Sequence, residues 1–143
     1  AALCLAEGLQ NDGELITIDI NYELEDMAKS YIKKAGLQDQ INMIIGDALE
    51  IIPTLDRNFD LVFIDADKDN YTNYYDLLID QLPHNSYIIA DNVLWSGKVL
   101  DENKHRDKDT EALRKFNDKI HTDDRVENVI LPIRDGLMVI RKK

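Results

Sequence analysis

The sequence is poor in several residue types, and each shortage excludes a class of protein. Its single cysteine, Cys4, cannot form an intramolecular disulfide, and without a cluster of Cys and His it forms no zinc site; we expect it to lie in a helical core. Only six glycines and three prolines occur in 143 residues, which argues against disorder. No apolar run is long enough to cross a membrane and no basic-then-apolar leader is found, so we expect a cytoplasmic protein without membrane contact.

Positive charge is the other scarce feature. The chain has 17 Lys and Arg against 28 Asp and Glu, a formal net charge of −11. Such a chain is not attracted over long range to phosphate backbones or anionic membranes. A nucleic-acid partner is therefore disfavoured, although a local basic patch could still bind one. The length suits a single domain spanning residues 1–143.

What is present is an alternation of strands and helices. Apolar, β-branched runs predict strands, and apolar residues at helical spacing predict helices. The predicted strands are 15–20, 41–45, 60–64, 86–90, 126–131 and 137–140. The predicted helices are 1–9, 21–35, 48–52, 70–82 and 110–121. This order predicts an α/β domain with a mostly parallel sheet.

Two connections near the end depart from this pattern. The segment 91–110 is long, polar and dense in both signs of charge, and a connection of that length is typically functional or disordered. Asp135-Gly136 lies between apolar runs, a combination typical of a β-hairpin. We therefore expect an antiparallel pair of strands to finish the sheet.

Helical spacing also predicts which side chains face the core. In the helix 110–121 the inward residues are Leu113, Phe116 and Ile120. The second predicted helix has a comparable apolar face that we expect to be buried. That face consists of Leu24, Met27, Ala28, Tyr31 and Ile32.

Acidic side chains follow the predicted strands at the points where the strands end. Asp19, Asp47, Asp65 and Asp91 all occupy such positions. Because the carboxyl ends of parallel strands gather at one edge of a sheet, these residues could meet there. An acid after the first strand–helix unit, here Asp19, suits a ribose diol because a carboxylate offers two acceptors. The alternative is a solvated loop aspartate beside a helix N-terminus.

Asp65 and the pair Asp91-Asn92 form a second constellation. Three oxygen ligands from the ends of two strands suit an octahedral ion such as Mg²⁺. They converge only if the strands 60–64 and 86–90 are neighbours, as sequential strands usually are. The alternative is that these residues are acidic simply because loops are polar.

Lys68 and Trp95 are the remaining candidates. Lys68 stands three residues beyond Asp65, so one turn could direct both side chains into one pocket. A lysine whose pKa is lowered by positive neighbours and burial can act as a general base; otherwise it is a solvated surface residue. Trp95, placed in the polar connection, could border an aromatic substrate. A packed loop tryptophan is the alternative.

Five segments together carry a family resemblance. In chain order they are Ile-Asp-Ile-Asn (18–21), Gly-Asp-Ala (46–48), Phe-Ile-Asp-Ala-Asp-Lys-Asp-Asn-Tyr (63–71), Ala-Asp-Asn-Val-Leu-Trp-Ser-Gly-Lys-Val (90–99) and Leu-Pro-Ile-Arg-Asp-Gly-Leu (131–137). Over essentially the whole chain they resemble the cation-dependent O-methyltransferases, the S-adenosylmethionine enzymes related to catechol and caffeoyl-CoA O-methyltransferases. Any one segment alone would be weak, but five in the same order are specific.

The resemblance implies a Rossmann-like methyltransferase sheet, mostly parallel with a C-terminal antiparallel hairpin, and a set of residues that bind the methyl donor. Asp19 matches the residue that holds the ribose hydroxyls of S-adenosylmethionine. Asp47 and Ala48 match the stretch that borders the adenine. Asp67 matches a residue near the amino-acid end of the donor.

The resemblance also implies the chemistry. Asp65, Asp91 and Asn92 match the ligands of a divalent cation, Mg²⁺ foremost with Ca²⁺ or Mn²⁺ as alternatives. Lys68 matches the lysine assigned as base, and Trp95 falls in the loop that borders the acceptor. The implied reaction moves a methyl group from S-adenosylmethionine to a hydroxyl of a catechol-like small molecule with vicinal hydroxyls. A homodimer is implied as well.

The chain departs from the family in one important respect. Family members begin with several helices, a first strand and a glycine-rich loop, whereas this chain opens inside the helix that follows that loop. In the family's strand order, 3-2-1-4-5-7-6, the first strand is central, so we expect a gap between the strands 15–20 and 60–64. We expect an N-terminally truncated, partial domain that binds the donor weakly or not at all.

Three other functions stay open at this stage. The chain could be a catalytically incompetent fragment of such an enzyme, or a relative that methylates a hydroxyuridine of tRNA. A nicotinamide-dependent dehydrogenase shares the α/β layout and a ribose-binding acid. It would need a Gly-x-Gly-x-x-Gly turn, which this sequence lacks, and has no use for the Asp91-Asn92 pair.

Overall fold

The computed structural model describes residues 1–101 and 104–143. Residues Ala1–Leu55 form one compact unit and Asp56–Lys143 form another. Within the described residues, no helix is both long enough and apolar enough to span a membrane.

The first unit contains a two-stranded parallel sheet and three short helices. Its elements are α1 (Ala2–Glu7), β1 (Leu15–Asp19), α2 (Glu25–Lys34), β2 (Ile41–Ile45) and α3 (Ala48–Ile51). Strand β1 pairs with β2 in parallel, with Leu15 opposite Ile41 and Asp19 opposite Ile45. The two carboxyl ends therefore lie side by side, as the strand pattern predicts.

The core of the first unit is small. Ala6, Ile32 and Ile41 form a buried cluster against which partly buried leucines pack, and Ile52 is also buried. Of the apolar face predicted for α2 only Ile32 is buried, whereas Met27 is 52% and Tyr31 55% exposed. The prediction of a buried face is wrong because the two strands and the other two short helices of this unit offer too little surface to cover it. Cys4 is exposed, contrary to the expected core position, since α1 buries only Ala6.

The second unit contains a four-stranded sheet. Its elements are β3 (Leu61–Ile64), α4 (Tyr71–Ile79), β4 (Tyr87–Asp91), α5 (Lys108–Thr122), β5 (Val126–Leu131) and β6 (Leu137–Lys142). The strand order is β3-β4-β6-β5. Strands β3 and β4 are parallel, while β6 runs antiparallel to both β4 and β5. The predicted C-terminal hairpin is confirmed.

The pairing orders of the two sheets agree with the expected fold. Among the described residues, β1 pairs only with β2, and β3 lies at the end of its own sheet. Each order matches a part of the expected order 3-2-1-4-5-7-6: the pair 3-2 in the first unit and the run 4-5-7-6 in the second. The fold is therefore the predicted Rossmann-like methyltransferase arrangement, mostly parallel in its first strands.

The core of the second unit is larger and aromatic. Leu113, Phe116 and Ile120 of α5 are fully buried, which confirms the face predicted for this helix. Phe116 meets the rings of Tyr71 and Tyr75 edge to face, with centroids 5.5 and 6.5 Å away. This cluster fixes α4 and α5 beside the sheet and thereby the loops that follow β3 and β4.

Part of the polar connection 91–110 has regular structure, although its composition predicts a long irregular loop. Short 3₁₀ turns in Trp95–Leu100 are separated by a kink at Ser96 and Gly97, where φ is positive. Helix α5 begins at Lys108 because the Asp107 carboxylate caps it by accepting from the Thr110 amide at 3.1 Å. Residues 102 and 103 of this connection lie outside the described residues.

Candidate functional site

Lys68 is the centre of a polar cluster in the second unit. The 3₁₀ turn Lys68–Asn70 that follows β3 turns this side chain inward, where it is only 8% exposed. Its Nζ donates to the Tyr71 hydroxyl and to Asn92 Oδ1 at 3.2 Å, and it lies 3.8 Å from Asp65 Oδ1. Lys68 is therefore not a solvated surface lysine: one ammonium joins two of the predicted metal ligands.

The electrostatic environment of Lys68 is mixed. Burial removes water from the ammonium and lowers the pKa of Lys68 below its usual value. The negative charges of Asp65, Asp91, Asp135 and Asp109 act in the opposite direction and raise it. The positive neighbours expected from the sequence are absent among the described groups that shift the pKa of Lys68: those groups are carboxylates, and burial alone lowers the pKa.

Tyr71 ties the ends of the two parallel strands together. It is completely buried, and its hydroxyl accepts from Lys68 Nζ. The same hydroxyl lies 3.0 Å from the Asp91 carbonyl and 3.3 Å from the Ile64 carbonyl, so it donates at the carboxyl ends of both β3 and β4. Burial, reinforced by the charge of Asp65, raises the pKa of Tyr71 and keeps the phenol protonated. No role was predicted for Tyr71, although its spacing of three residues from Lys68 places the two side chains on one face of a helical turn.

The pairing of β3 with β4 determines where Asp91 and Asn92 lie. Ile64 is opposite Ala90, so Asp65 and Asp91 leave neighbouring strands at the same edge. The predicted adjacency of these strands is confirmed. Asn92 has a left-handed backbone with φ of 61°, and its amide donates to Asp91 Oδ1 at 2.7 Å. Asparagine tolerates that conformation better than most residues, which suits it to this turn.

The chemistry of these residues fits a divalent cation. Within the described residues there is no cluster of three or more His, Cys, Asp or Glu side chains that could hold a metal. The predicted set is of another kind, two carboxylates and one carboxamide, and all of its donors are oxygen atoms, as Mg²⁺, Ca²⁺ and Mn²⁺ prefer. Oxygens of Asp65 and Asn92 already face a buried cation, the Lys68 ammonium.

An open cleft of about 730 Å³ lies beside this cluster. Its volume is in the range of small-molecule sites. Polar and apolar side chains share its walls. The lining residues are Phe63, Asp91, Asn92, Ser96, Ile133, Arg134, Asp135 and Leu137. Half of them come from the hairpin turn and the start of β6, a contribution that the sequence argument missed even though the segment 131–137 stood out as a motif.

Trp95 lies next to Lys68 and is half-buried. The centroid of its ring is 5.8 Å from Lys68 Nζ and 5.9 Å from Lys98 Nζ, distances at which an ammonium and an indole attract each other. Its Nε1 is buried without a hydrogen-bond partner in the described part of the chain. Ser96, rather than Trp95, lines the cleft itself.

The hairpin turn holds the loop that carries these residues. The amides of Val93 and Leu94 donate to the carbonyls of Gly136 and Asp135, at 3.2 and 3.0 Å. A Cβ on Gly136 would lie 2.5 Å from Leu94 Cγ, and the φ of +84° at this residue also favours glycine. Gly136 is therefore required for the close contact between the two loops.

Asp67 remains at the surface of the second unit. Its carboxylate accepts from the Tyr74 hydroxyl at 2.6 Å and from Asn70 Nδ2 at 2.5 Å. These contacts fix it at the start of α4 and leave it exposed.

The other predicted donor-binding residues belong to the first unit. Asp19 ends β1, is half-buried and accepts from the Asn21 amide at 2.8 Å. Asp47 is exposed and caps α3 by accepting from the Leu49 amide at 2.8 Å, and Ala48 is the first residue of that helix. Asp19 and Asp47 follow neighbouring strands, because the Gly46 amide bonds to the Asp19 carbonyl at 2.9 Å.

The strand orders and the polar strand ends together define a class. This is an α/β protein with the Rossmann-like methyltransferase sheet, whose second unit carries an oxygen-rich, lysine-centred site at the carboxyl ends of β3 and β4.

The chain belongs to the O-methyltransferase family, whose sequence model matches residues 1–143. It is 35% identical over 147 residues to a probable caffeoyl-CoA O-methyltransferase 2 of Dictyostelium discoideum, with 99% of this chain and 64% of that protein aligned. It is 34% identical over 150 residues to caffeoyl-CoA O-methyltransferase 1 of Eucalyptus globulus, with 98% and 61% aligned. The chain thus spans about 64% of the length of the first of these relatives.

Solved structures show the same fold. The O-methyltransferase TomG from Streptomyces achromogenes, solved in complex with SAM, superposes with a TM-score of 0.90 at 27% identity, covering 99% of this chain and 67% of TomG. An O-methyltransferase from Bacillus cereus, solved in complex with SAH, superposes with a TM-score of 0.89 at 29% identity, covering 99% and 68%. The predicted family and fold are confirmed.

Proposed function

We propose that this chain carries the metal- and acceptor-binding side of a cytoplasmic, S-adenosylmethionine-dependent O-methyltransferase that acts on catechol-like small molecules. The observation that carries the proposal is the buried Lys68 ammonium, which meets Asn92 at 3.2 Å and Asp65 at 3.8 Å beside an open cleft. Family membership supports the reaction type.

Three side chains would hold the cation. Asp65, Asp91 and Asn92 supply oxygen ligands from two adjacent strand ends, and Mg²⁺ is the first choice, with Ca²⁺ or Mn²⁺ as alternatives. When bound there, a divalent cation would lower the pKa of the hydroxyls that coordinate it. Two neighbouring hydroxyls chelate better than one, which is why vicinal diols are the proposed acceptors.

Lys68 would take the acceptor proton. Its position next to Asn92 and Asp65 brings the Nζ close to any hydroxyl bound at those ligands, and burial favours its neutral, proton-accepting form. The acceptor oxygen then forms a bond to the methyl carbon as the carbon–sulfur bond breaks, and S-adenosylhomocysteine leaves. The protein contributes by holding the reacting atoms in line and by the charge around them.

The residues assigned to the donor follow from the family's motifs, position by position. We assign Asp19 to the ribose, Asp47 and Ala48 to the adenine, and Asp67 to the amino-acid end. The support is the resemblance of these positions to the family's motifs and the SAM and SAH complexes of the two structural relatives.

Small molecules are the proposed acceptors rather than tRNA, because the net charge of −11 opposes the approach of a phosphate backbone. A catechol fits the vicinal-hydroxyl requirement, and so does a hydroxycinnamoyl thioester whose ring carries two adjacent hydroxyls. The proposal includes a homodimer, as the resemblance implies.

Methyl transfer can be tested directly. The chain is incubated with S-adenosylmethionine, Mg²⁺ and caffeic acid, and a mass increase of one methyl group is sought by mass spectrometry. Asp65→Ala should abolish cation-dependent transfer, whereas Asp12→Ala, in an exposed turn of the first unit, should leave it unchanged. Full activity in a chelator contradicts the metal assignment. Mg²⁺ binding without any transfer by the unsubstituted chain favours the incompetent-fragment alternative.

A further inference from the structure

The side chain of Arg114 donates most of its hydrogen bonds to one loop. Arg114 lies in α5 and is only 11% exposed. All three of its guanidinium nitrogens donate to main-chain carbonyls of the connection between β4 and α5. The acceptors are Val99 at 3.1 Å from Nε, His105 at 2.6 Å from Nη1, and Lys98 and Asp101, each at 2.8 Å from Nη2.

A fifth hydrogen bond fixes the orientation of the guanidinium. Glu111, one turn earlier in α5, accepts from Arg114 Nη1 at 2.6 Å. A guanidinium has five N–H donors, so the five hydrogen bonds match its full capacity. Four of the five go to main-chain carbonyls of the same connection. The carbonyls of Lys98 and Asp101 also accept from amides within the connection, at 3.3 to 3.4 Å.

The segment held by Arg114 begins at Lys98, three residues after Trp95. Lys98 is the link, since its carbonyl accepts from Arg114 while its ammonium lies 5.9 Å from the centroid of the Trp95 ring. The same ring lies 5.8 Å from Lys68 Nζ. The position of the Lys98 main chain therefore bears on where the Trp95 ring stands relative to Lys68.

The backbone around Trp95 is held from both sides. On one side the amide of Leu94 donates to the Asp135 carbonyl at 3.0 Å, and on the other is Arg114. Between these anchors Trp95 and Ser96 have left-handed φ values of 47° and 54°. Such values are unfavourable for residues with a Cβ, and they persist only where the surroundings impose them.

We propose that Arg114 is a positioning residue that sets the place of the Trp95 ring next to Lys68. Its role in acceptor binding rests on the proposed function above, whereas the clamp on the loop does not. Lysine cannot replace it, because an ammonium is a single compact donor group and cannot reach carbonyls spread over eight residues, from Lys98 to His105.

Trp95 is the only tryptophan in the sequence, so its fluorescence reports on this loop alone. Acrylamide quenching is measured on the chain without donor, acceptor or metal. Arg114→Lys should raise the quenching constant of Trp95 about twofold and shift its emission to the red. The reason is that lysine lacks the guanidinium donors that hold the loop. The matched control is Arg141→Lys, an arginine of β6 bonded to Glu127 and Asn85, which should leave quenching unchanged.

A milder variant covers the case in which Arg114→Lys does not fold, as judged by circular dichroism. Glu111→Gln keeps the guanidinium but weakens the contact that orients it, and should raise quenching in the same direction by a smaller factor. The proposal that Arg114 holds the loop is overturned if a folded Arg114→Lys chain shows wild-type quenching. If only Glu111→Gln folds, wild-type quenching in that variant overturns it.

The link to the acceptor has its own readout. Where methyl transfer is active, Arg114→Lys should raise the KM for the acceptor more than it lowers kcat, as expected if the Trp95 ring borders the acceptor and takes no part in the chemistry. A loss confined to kcat overturns the link to the acceptor. Inactivity of the unsubstituted chain bears on the proposed function, and the quenching experiment still decides the clamp.

Discussion

The two units hold their candidate functional side chains by different kinds of contact. In the first, the carboxylates of Asp19 and Asp47 accept from amides only two residues further along the chain. In the second, Lys68 and Asn92 meet across 24 residues of sequence, and Tyr71 reaches the Asp91 carbonyl across 20. The first arrangement is local turn chemistry, and the second is a product of tertiary packing.

The packing of the units differs in the same way. The first unit buries a small cluster around Ile32, whereas the second buries an aromatic cluster around Phe116 with Tyr71 at its edge. The candidate side chains of the second unit are therefore held in place by its core. Paired substitutions, one in each unit, test this difference.

The largest effect is expected at two glycines. Gly136→Ala should cost about 2–4 kcal/mol of unfolding free energy, because the new Cβ meets Leu94 and φ is +84°. Gly36→Ala, where φ is +71° and nothing lies within 4 Å, should cost about 1 kcal/mol from the backbone alone. Urea unfolding measures both. Equal costs would show that the packing of the hairpin against Leu94 is looser than described.

A smaller effect is expected from removing one hydroxyl. Tyr71→Phe removes the hydroxyl that accepts from the Lys68 ammonium and donates to the Asp91 carbonyl, and should cost about 1–3 kcal/mol. The ammonium keeps its contacts with Asn92 and Asp65. Tyr31→Phe, at a side chain 55% exposed in the first unit, should change stability by less than about 0.5 kcal/mol. Unfolding followed by Trp95 fluorescence and by circular dichroism compares the two. A neutral Tyr71→Phe would mean that the site is not held by this hydroxyl.

The smallest effect is a pH-dependent one. Asp123 of the second unit accepts hydrogen bonds from Arg125 and from the Tyr75 hydroxyl. These bonds, of which the one from Arg125 has the largest effect, hold the pKa of Asp123 well below its usual value. A carboxyl with a lowered pKa stabilises the fold above the unfolded pKa near 4, and this contribution is lost as the pH falls further. Asp123→Asn should therefore cost about 1 kcal/mol at pH 7, a value kept small because Arg125 is 44% exposed, and less at pH 3.

The control for Asp123 lies in the first unit. Glu25 pairs with Lys29 one helical turn away, and both side chains are exposed. Glu25→Gln should change stability by no more than about 0.5 kcal/mol at pH 7. A cost for Asp123→Asn that stays constant from pH 7 to pH 3 would contradict the charge-based explanation.

The sequence predicts most of the fold because its signals are local. Strands such as Ile41–Ile45 and Val126–Leu131 are found at their predicted bounds, and Asp135-Gly136 marks the hairpin. The same periodicity predicts the buried face of α5 correctly but fails for α2. The difference lies outside the helices, since a face is buried only where other elements supply a surface to cover it.

The site is predicted in its residues but not in its construction. Asp65, Lys68 and Asn92 are readable as polar groups after strands, and the structure brings them together. The strand ends fastened by Tyr71 and the loop carbonyls gathered by Arg114 are long-range contacts that no spacing encodes. The left-handed backbone of Trp95 is likewise imposed by packing, since its sequence contains no cue for it.

The central claim is that the second unit holds a preformed site for a divalent cation. Titration calorimetry with MgCl₂, without donor or acceptor, tests it on the chain and on two isosteric variants. Asp65→Asn should weaken Mg²⁺ binding at least about tenfold, since it removes a ligand charge, while Asp47→Asn in the first unit should leave it unchanged. Equal Mg²⁺ affinity in the unsubstituted chain and in Asp65→Asn would contradict the claim.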